Sequence, residues 1–220
     1  MINIAIDGPA GAGKSTIAKK VAEKKSYIYV DTGAMYRAMA LYLIRCGVDR
    51  EDTDAISAKC KEPDITIEYR DGVQVVLLNG ENVNDYLRTS QVSDMASRSS
   101  AVPAVRDKLL ELQRGLARKA NVVMDGRDIG TVVLPDAQVK IFLTASVAVR
   151  ANRRHLENIE KGLESNLDEL TAQIIERDER DMNRPVAPLR QADDAVLVDT
   201  SNLTIEEVAE KILSIIDEKI

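Results

Sequence analysis

The sequence predicts an α/β fold in which helices flank a parallel sheet and a small antiparallel β insert interrupts the chain. Short apolar runs such as "INIAID" (2–7) and "AQVKIFLTA" (137–145) alternate with longer segments whose apolar residues recur at helical spacing. Strands separated by helices favour a parallel sheet covered on both faces. The insert is indicated by Asp71-Gly72 and Asn79-Gly80, which separate alternating apolar residues as hairpin turns do.

The remaining elements follow from local signals. Further strands are expected at 27–30, from 121 into a polar loop ending at 128, and at 194–200. A first helix is expected after the glycine-rich loop at 8–13, and a second over 31–47, where Gly47 ends it. A third is expected at about 103–119, with Pro103 in its first turn. A charged helical region is expected over about 146–182, with a break near "EKGLESN", and a last helix at the C-terminus. The last helix has a capping box, Thr204 with Glu207, and its expected apolar face is Ile205, Val208, Ile212, Ile215 and Ile216.

We expect residues 1–220 to form one domain, since this length is ordinary for a single core with insertions. The core would comprise 1–62 and 101–220, the insert about 63–100, and a helical lid about 150–180.

Composition excludes several classes of protein. The formal net charge of −6 argues against a nucleic-acid polymer as partner, because a phosphate backbone requires a basic face. Apolar runs are too short for a membrane helix and the first residues do not resemble a signal peptide, so we expect a cytoplasmic protein, and a monomer. Cys46 and Cys60 lack metal-ligand spacing and the only histidine is His155, which argues against structural zinc.

The stretch "IDGPAGAGKST" (6–16) contains G-x-x-x-x-G-K-S between an expected strand and an expected helix. Backbone N–H groups of such a loop turn inward around phosphate oxygens, and side chains would block that approach. Lys14 would supply a cation to the β and γ phosphates, and the Ser15 hydroxyl would bind Mg²⁺. A chance match is disfavoured by the strand-loop-helix context.

The stretch "DTGAMYR" (31–37) lies at the end of the second expected strand, where open α/β sheets bind ligands. Arg37 is suited to a bidentate grip on a second phosphate, and Tyr36 to stacking on a base. The alternative is a helix start capped by Asp31 or Thr32 with Tyr36 in the core, and the two interpretations are compatible.

The stretch "DGRDIG" (125–130) also follows a strand. Arg127 is another candidate phosphate ligand, and Asp128 is a carboxylate able to accept hydrogen bonds from an amine. The alternative is a surface turn with a local Arg–Asp pair, which would contribute little stability.

Two further runs concentrate arginine. In "ERDERDMNR" (176–184) the arginines recur at helical spacing, which by itself is more typical of a solvated helix with ion pairs three and four residues apart. In "RANRR" (150–154), Arg150 and Arg154 share a helical face where a lid over ATP would begin. Together these arginines exceed what one nucleotide needs, which favours two anionic ligands facing each other.

Taken together, these stretches resemble the bacterial cytidylate kinases, the (d)CMP kinase branch of the nucleoside monophosphate kinases. The resemblance is carried almost end to end by the stretches above, by "LRTSQVSDMASRSSAVPAVRDKLLELQR" (87–114), by "DGRDIGTVVLPDAQVKIFLTAS" (125–146) and by "ERDERDMNRPVAPL" (176–189). Two departures are Ala10, where many relatives have Ser, and Thr32, which replaces a frequent Ser and keeps the hydroxyl.

The resemblance implies transfer of a phosphoryl group from ATP to CMP or dCMP, with Mg²⁺ bound through Ser15. It implies that Ser97, Arg106 and Asp128 read the cytosine edge, that Tyr36 lies against the ring, and that Arg177 and Asp181 meet the ribose. The implied catalytic residues are Lys14, Arg37, Arg127 and Arg184. The implied ATP-binding residues are Gly8, Pro9, Ala10, Gly11, Ala12, Gly13, Lys14, Ser15, Thr16, Arg150 and Arg154. The implied CMP-binding residues are Thr32, Tyr36, Arg37, Ser97, Arg106, Arg127, Asp128, Arg177, Asp181 and Arg184.

From the residues alone, nothing distinguishes Ser97 and Arg106 from ordinary helix surface. Two alternatives for function stay open: a kinase for another small acceptor, such as UMP or a sugar acid, and a nucleotide-driven switch. The N-K-x-D and D-x-x-G motifs of guanine-nucleotide switches do not occur, and a switch would leave the extra arginines unexplained.

Overall fold

A computed structural model describes residues 1–220 as a mixed α/β protein. The strands are β1 (Asn3–Asp7), β2 (Ile28–Asp31), β3 (Ile65–Arg70), β4 (Val73–Leu78), β5 (Glu81–Asn82), β6 (Val122–Gly126), β7 (Val139–Thr144) and β8 (Val196–Asp199). The helices are α1 (Lys14–Lys25), α2 (Thr32–Arg45), α3 (Thr53–Lys59), α4 (Ser90–Ser99), α5 (Pro103–Lys119), α6 (Val147–Glu160), α7 (Leu167–Asn183) and α8 (Ile205–Lys219).

The chain divides into two compact units. The first comprises Met1 and Ile28–Val122, and the second comprises Ile2–Tyr27 and Val123–Ile220. The main sheet has five strands, of which β6, β1, β7 and β8 lie side by side in that order. The α/β fold class predicted from the sequence is confirmed.

In the second unit, parallel pairing brings the carboxyl ends of the strands to one edge. Ile4 to Asp7 of β1 face Val139 to Phe142 of β7, and β7 pairs with β8 in the same direction. The apolar residues Ile4, Ala5 and Ile6 of β1 and Val139, Ile141 and Leu143 of β7 are buried, as expected for strands covered on both faces. The loops that follow Asp7 and Gly126 therefore begin at the same edge.

Helix α8 covers the second unit largely as predicted. Its capping box is present, with the Glu207 backbone N–H donating to Thr204 Oγ1 and the Thr204 N–H donating to Glu207 Oε2. Val208, Ile212 and Ile216 are buried, and α8 packs against α1 and β7. Ile205 is exposed, contrary to the predicted apolar face, because it is the first residue of the helix and lies beyond the contact with α1 and β7.

In the first unit, the predicted insert is an antiparallel sheet in the order β3-β4-β5. Ile65 pairs with Leu78 and Arg70 with Val73, so the β3-β4 turn falls on Asp71 and Gly72. Both residues have positive φ, 52° and 76°, which is the twist that two-residue hairpins favour. Asn79 and Gly80, at 51° and 83°, form the second turn in the same way.

Helices α3 and α4 were not predicted from the sequence. Each begins with a side-chain cap, Asp52 accepting from the Ala55 N–H and Thr89 from the Val92 N–H. Helix α4 is rich in serine, a weak helix former, and is stabilised by packing against α2. The segment Ile129–Val133 is a short π-helical turn, also unpredicted, within the loop that follows β6.

The charged segment after β7 forms two helices, as predicted. Ser146 caps α6, Gly162 has a φ of +71° between the helices, and Asn166 caps α7. Helices α6 and α7 pack against each other. None of the helices combines the length and the apolar character that a membrane crossing demands.

Candidate active site

The glycine-rich loop at 8–13 joins β1 to α1 and requires glycine at defined positions. Gly8, Gly11 and Gly13 have φ of 148°, 78° and 91°, a region that residues with a side chain rarely adopt. A Cβ on Gly8 would lie 1.9 Å from the carbonyl oxygen of Leu143 in β7, an impossible approach. Helix α1 begins at Lys14, so its free N–H groups and the loop form one anion-binding surface.

Hydrogen bonds to its carbonyl groups hold the loop in shape. Lys14 Nζ donates to Pro9 O over 2.7 Å and Arg150 Nη1 donates to Ala10 O over 3.0 Å. Each bonded carbonyl leaves the N–H of the same peptide directed to the opposite side. The structure thus supports the predicted phosphate-binding surface.

Lys14 is a buried cation in a positively charged environment. Burial lowers the pKa of Lys14 well below its ordinary value, and Arg127 and Arg177 lower it further, against the opposing effect of Asp125. Because burial is the main cause of this lowered pKa, an anionic group bound beside Lys14 would favour its protonated form.

Ser15, in the first turn of α1, contacts a carboxylate that our sequence analysis did not assign to the site. Its hydroxyl donates to Asp125 Oδ2 over 2.9 Å, and Asp125 is buried near the end of β6. A hydroxyl and a carboxylate at the phosphate loop are hard oxygen ligands of the type that Mg²⁺ prefers, so the residues present fit the expected metal.

The loop after β6 and the end of α7 form a buried set of ion pairs. Arg127 Nε donates to Asp181 Oδ2 over 2.9 Å, and Arg184 Nη2 lies 3.5 Å from Asp128 Oδ1. Asp128, Asp181 and Arg184 are all buried. The interpretation of 176–184 as a solvated helix is therefore wrong for this face, and so is a local Arg127–Asp128 surface pair.

These arginines determine the charge state of Asp181. Burial alone would raise the pKa of Asp181, but Arg127, Arg177 and Arg184 together hold it below its ordinary value. Asp181 is therefore a carboxylate, an acceptor suited to hydroxyl donors.

Asp7 is a second buried carboxylate that sequence reasoning missed. It accepts the backbone N–H groups of Ile129 and Gly130, each over 2.7 Å, which fixes the loop that carries Arg127 and Asp128. Burial raises the pKa of Asp7 to about 7, and Asp128 adds to the rise, while the two N–H bonds and Lys14 oppose it.

The two arginines of the predicted lid have different environments. Arg150 is buried and its hydrogen bonds go to protein groups, including the Asp178 carboxylate at 2.6 Å. Arg154 is exposed, although it lies one helical turn further along α6. The expected common face of Arg150 and Arg154 is therefore divided between the protein interior and solvent.

The first unit contains the other predicted acceptor-binding residues. Asp31 caps α2 by accepting the Ala34 N–H over 2.9 Å, and Thr32 is buried at the first helical position. Arg37 Nη1 lies 3.8 Å from Asp31 Oδ2. The predicted cap is therefore Asp31, whereas Tyr36 is half-buried and not in the core. The Arg37 guanidinium lies at the N-terminus of the helix.

Tyr36 and Arg106, both predicted to contact the base, lie beside each other. The Arg106 guanidinium carbon is 5.6 Å from the centroid of the Tyr36 ring, within cation–π range. Arg106 Nη1 also donates to Ser100 O over 3.2 Å, and the Ser100 hydroxyl donates to Ser97 O. Ser97 and Arg106 are buried, so their description as plain helix surface is wrong.

Gln74 of β4 joins the insert to the start of α2. The Asp31 N–H donates to Gln74 Oε1 over 2.9 Å, and Gln74 Nε2 donates to Asp31 O over 3.1 Å. The amide reproduces the paired hydrogen bonds of a β bridge, which fixes the backbone immediately before Thr32.

A model of the cytidylate kinase family matches residues 4–218. The chain belongs to the cytidylate kinase family. The cytidylate kinase of Geobacillus kaustophilus is 50% identical over 219 residues, which cover 100% of this chain and 98% of that protein. The cytidylate kinase of Carboxydothermus hydrogenoformans is 51% identical over 218 residues, which cover 99% of this chain and 98% of that protein.

Membership of the cytidylate kinase family confirms the resemblance derived from the motifs, and with it the prediction of an ATP-dependent kinase. An uncharacterised protein from Eubacterium ventriosum has a TM-score of 0.52 at 15% identity, covering 99% of each chain. A shikimate kinase from Bacteroides thetaiotaomicron has a TM-score of 0.50 at 14% identity, covering 98% of each chain. At this level of identity the likeness supports the fold alone.

The sequence motifs did not identify several buried acids of the site or the residues that pair with them. Asp7 and Asp125 each end an apolar strand, a sequence signal that was available and not used. Asp178 and Gln74 gave no such signal, because their partners Arg150 and Asp31 are distant in the chain.

Proposed function

We propose that this protein transfers the γ-phosphoryl group of ATP to CMP or dCMP, forming ADP and CDP or dCDP. The observation that carries the proposal is the charge around the phosphate loop. Lys14, Arg127 and Arg177 are close enough for the two arginines to depress the pKa of the lysine. Arg127, Arg177 and Arg184 also surround Asp181, so three guanidinium groups accompany the lysine of the loop, which suits two phosphate-bearing ligands rather than one.

ATP would occupy the loop at 8–16. Inward N–H groups would surround its phosphate oxygens, with Lys14 as the cation of the β and γ phosphates. Because the hydrogen bond from Arg150 to the Ala10 carbonyl restricts the loop, little reorganisation would be required at the reaction step.

Ser15 would hold Mg²⁺ directly, and the adjacent Asp125 carboxylate would orient the ion and its water ligands. When bound, Mg²⁺ supplies charge neutralisation on the transferring phosphoryl group. Asp125 also accepts a hydrogen bond from the Ser15 hydroxyl, which directs the lone pairs of that hydroxyl away from the carboxylate.

The phosphate, the ribose and the base of the acceptor nucleotide would each be bound by side chains of matching chemistry. Arg37, Arg127 and Arg184 are suited to the acceptor phosphate, since guanidinium groups bind phosphate bidentately. Asp181, held as a carboxylate, suits the ribose hydroxyls together with Arg177, and Tyr36 suits the face of the base. Thr32 would add a hydroxyl at the helix start.

Cytosine presents an N4 amine as donor, with N3 and O2 as acceptors. Asp128 and Ser97 would accept from the amine, and Arg106 would donate to the ring acceptors. UMP has an oxygen in place of this amine, so the same site would disfavour it.

The chemistry requires no general base, because the acceptor oxygen is already anionic. The acceptor phosphate oxygen forms a bond to the γ-phosphorus as the bond to the β–γ bridging oxygen breaks, and ADP leaves with that electron pair. The residues act by alignment and charge neutralisation. We further propose that the lid, about 150–180, closes to exclude water and limit ATP hydrolysis, and that the protein acts as a monomer.

The test is an acceptor panel in a coupled ADP-release assay with CMP, dCMP, UMP, AMP, GMP and shikimate as a sugar-acid analogue. We expect the highest kcat/KM with CMP or dCMP. Equal or faster turnover of a non-cytidine acceptor would refute the proposal. ATP binding without turnover of any acceptor would favour the nucleotide-driven switch.

A further inference from the structure

Arg150 is a buried arginine, and each of its three guanidinium nitrogens donates a hydrogen bond to the protein. Nε donates to Ala145 O over 2.9 Å, Nη1 to Ala10 O over 3.0 Å, and Nη2 to Asp178 Oδ2 over 2.6 Å. Only 4% of the residue is exposed. In this arrangement Nε, Nη1 and Nη2 each donate to an acceptor of the protein itself.

The contact with Ala10 fixes the direction of a peptide in the phosphate loop. Because the peptide is planar and trans, holding the Ala10 carbonyl toward Arg150 turns the Gly11 N–H to the opposite side. A Cβ on Gly11 would lie 3.2 Å from Arg150 Cβ, so the loop backbone runs directly against α6. Arg150 therefore controls one of the N–H groups that the loop offers to phosphate.

The contact with Asp178 fixes the rotation of α7. Asp178 is buried, and its second oxygen, Oδ1, has no hydrogen-bond partner, so Arg150 is the main counter-charge in contact with it. On a helix, fixing one residue fixes the direction of those three and four positions away. Asp178 lies three residues before Asp181, which accepts from Arg127, and α7 ends next to Arg184.

We propose that Arg150 and Asp178 form a positioning pair that ties the phosphate loop to α7, so that one buried ion pair sets both the donor-binding loop and the helix of acceptor-binding residues. The inference rests on the proposed function for the identity of the two ligands. It differs from the sequence expectation that Arg150 binds ATP directly.

Positioning can be separated from stability because a buried ion pair is not in itself strongly stabilising. Replacing such a pair by apolar residues of similar volume is often neutral or stabilising, whereas removing one partner leaves a buried charge without compensation. The double variant Arg150→Met/Asp178→Leu should therefore fold but lack the ion pair that connects the phosphate loop to α7.

The first experiment compares this double variant with the wild type by thermal unfolding, by ATP and CMP titration, and by turnover with saturating CMP. We expect folding with a similar Tm, about tenfold weaker ATP binding, about tenfold lower kcat and about threefold weaker CMP binding, within the usual range of coupling between sites. A folded double variant whose ATP affinity and kcat stay within twofold of the wild type would overturn the proposal. A purely structural role would lower Tm alone.

The second experiment measures ATP binding of Asp178→Asn. Its matched control is Glu179→Gln, because Glu179 is an exposed neighbour on the same helix and the substitution removes the same charge. If Asp178 positions Arg150, Asp178→Asn weakens ATP binding several-fold although residue 178 is not an expected ligand, and Glu179→Gln has no effect. If Arg150 is instead an ATP ligand, releasing it from Asp178 leaves ATP affinity equal or higher, and the proposal fails.

The two proposals fail in different ways. If the wild-type protein phosphorylates no acceptor, the proposed function is refuted, while ATP titration of the variants still tests the positioning pair. If the wild type phosphorylates CMP and Asp178→Asn has unchanged ATP affinity, only the positioning pair is refuted. Arg150→Lys provides a check if the double variant does not fold, since lysine keeps the charge but has a single nitrogen for three acceptors.

Discussion

Arg184 and Asp128 contact each other in the protein interior, with Nη2 of the arginine 3.5 Å from Oδ1 of the carboxylate. The two residues come from different elements, the end of α7 and the loop after β6. We assign the arginine to the acceptor phosphate and the carboxylate to the cytosine amine. Their proximity means that a change at Asp128 also alters the charge beside Arg184.

Asp128→Ala should reduce discrimination between CMP and UMP. The carboxylate favours the N4 amine of cytosine and disfavours the O4 oxygen of uracil, so its loss should lower the ratio of kcat/KM values by about 10- to 100-fold, or roughly 1–3 kcal/mol. Absolute activity should also fall, since Arg184 loses this neighbour. An unchanged ratio would remove Asp128 from the base-reading residues, and exposed Asp136→Ala provides the control.

Lys14→Ala should lower turnover far more than acceptor affinity. Lys14 is the buried cation of the phosphate loop and is expected at the β and γ phosphates, where charge develops during transfer. We expect kcat to fall by about 10²- to 10³-fold, the usual cost of losing one preorganised charged or polar contact. Titration should give a CMP Kd within twofold of the wild type. Lys24→Ala, at the exposed end of α1, should behave like the wild type.

Asp125→Asn should raise the Mg²⁺ concentration required for half-maximal activity. Asp125 accepts the Ser15 hydroxyl over 2.9 Å, and an amide both weakens that contact and removes a charge that favours the cation. Loss of an outer-shell partner typically costs about 10- to 100-fold in metal affinity. The measurement is a Mg²⁺ titration of activity at fixed ATP. An unaltered Mg²⁺ dependence would exclude Asp125 from the metal site.

Much of the fold could be predicted because its signals are local. The hairpins at Asp71-Gly72 and Asn79-Gly80, the capping box at Thr204 and the phosphate loop each depend on residues a few positions apart. Helix α4 was missed because its serine-rich sequence has little helical preference, and its stability comes from packing against α2.

The site could be predicted only in part because long-range pairs determine which polar residues are buried. Asp181 and Asp178 looked like members of a solvated helix until their partners Arg127 and Arg150 were located 54 and 28 positions away. Ser97 and Arg106 were found through the family resemblance, since their burial depends on tertiary packing that no local pattern reveals.

Gly8→Ala should disrupt the phosphate loop far more than Gly72→Ala disrupts the hairpin. Both glycines have positive φ, but a Cβ at Gly8 would lie 1.9 Å from Leu143 O, whereas nothing lies within 4 Å of one at Gly72. Gly72→Ala should therefore cost only the backbone strain, about 1–2 kcal/mol, and leave activity intact. Gly8→Ala should lower Tm further and abolish ATP binding. Equal effects on Tm would contradict the steric argument.

Asp7 lies where its protonation affects stability. The carboxyl is buried against Lys14, Asp128 and the N–H groups of Ile129 and Gly130, and burial raises its pKa from 3.8 to about 7. Between these values the folded state holds a proton that the unfolded state has released. The free energy of unfolding therefore decreases as the pH rises through this range, because ionising the buried carboxyl is unfavourable.

Asp7→Asn should remove this pH dependence. Relative to the variant, the wild type should lose about 3 kcal/mol of stability between pH 4 and pH 7, since each pKa unit corresponds to about 1.4 kcal/mol. At pH 4 the variant should be the less stable protein, because an amide oxygen replaces only one acceptor for the two N–H groups. Urea unfolding at several pH values measures the difference, with exposed Asp136→Asn as control. Parallel curves for wild type and Asp7→Asn would show that Asp7 is ionised throughout, and that its two N–H bonds and Lys14 outweigh its burial.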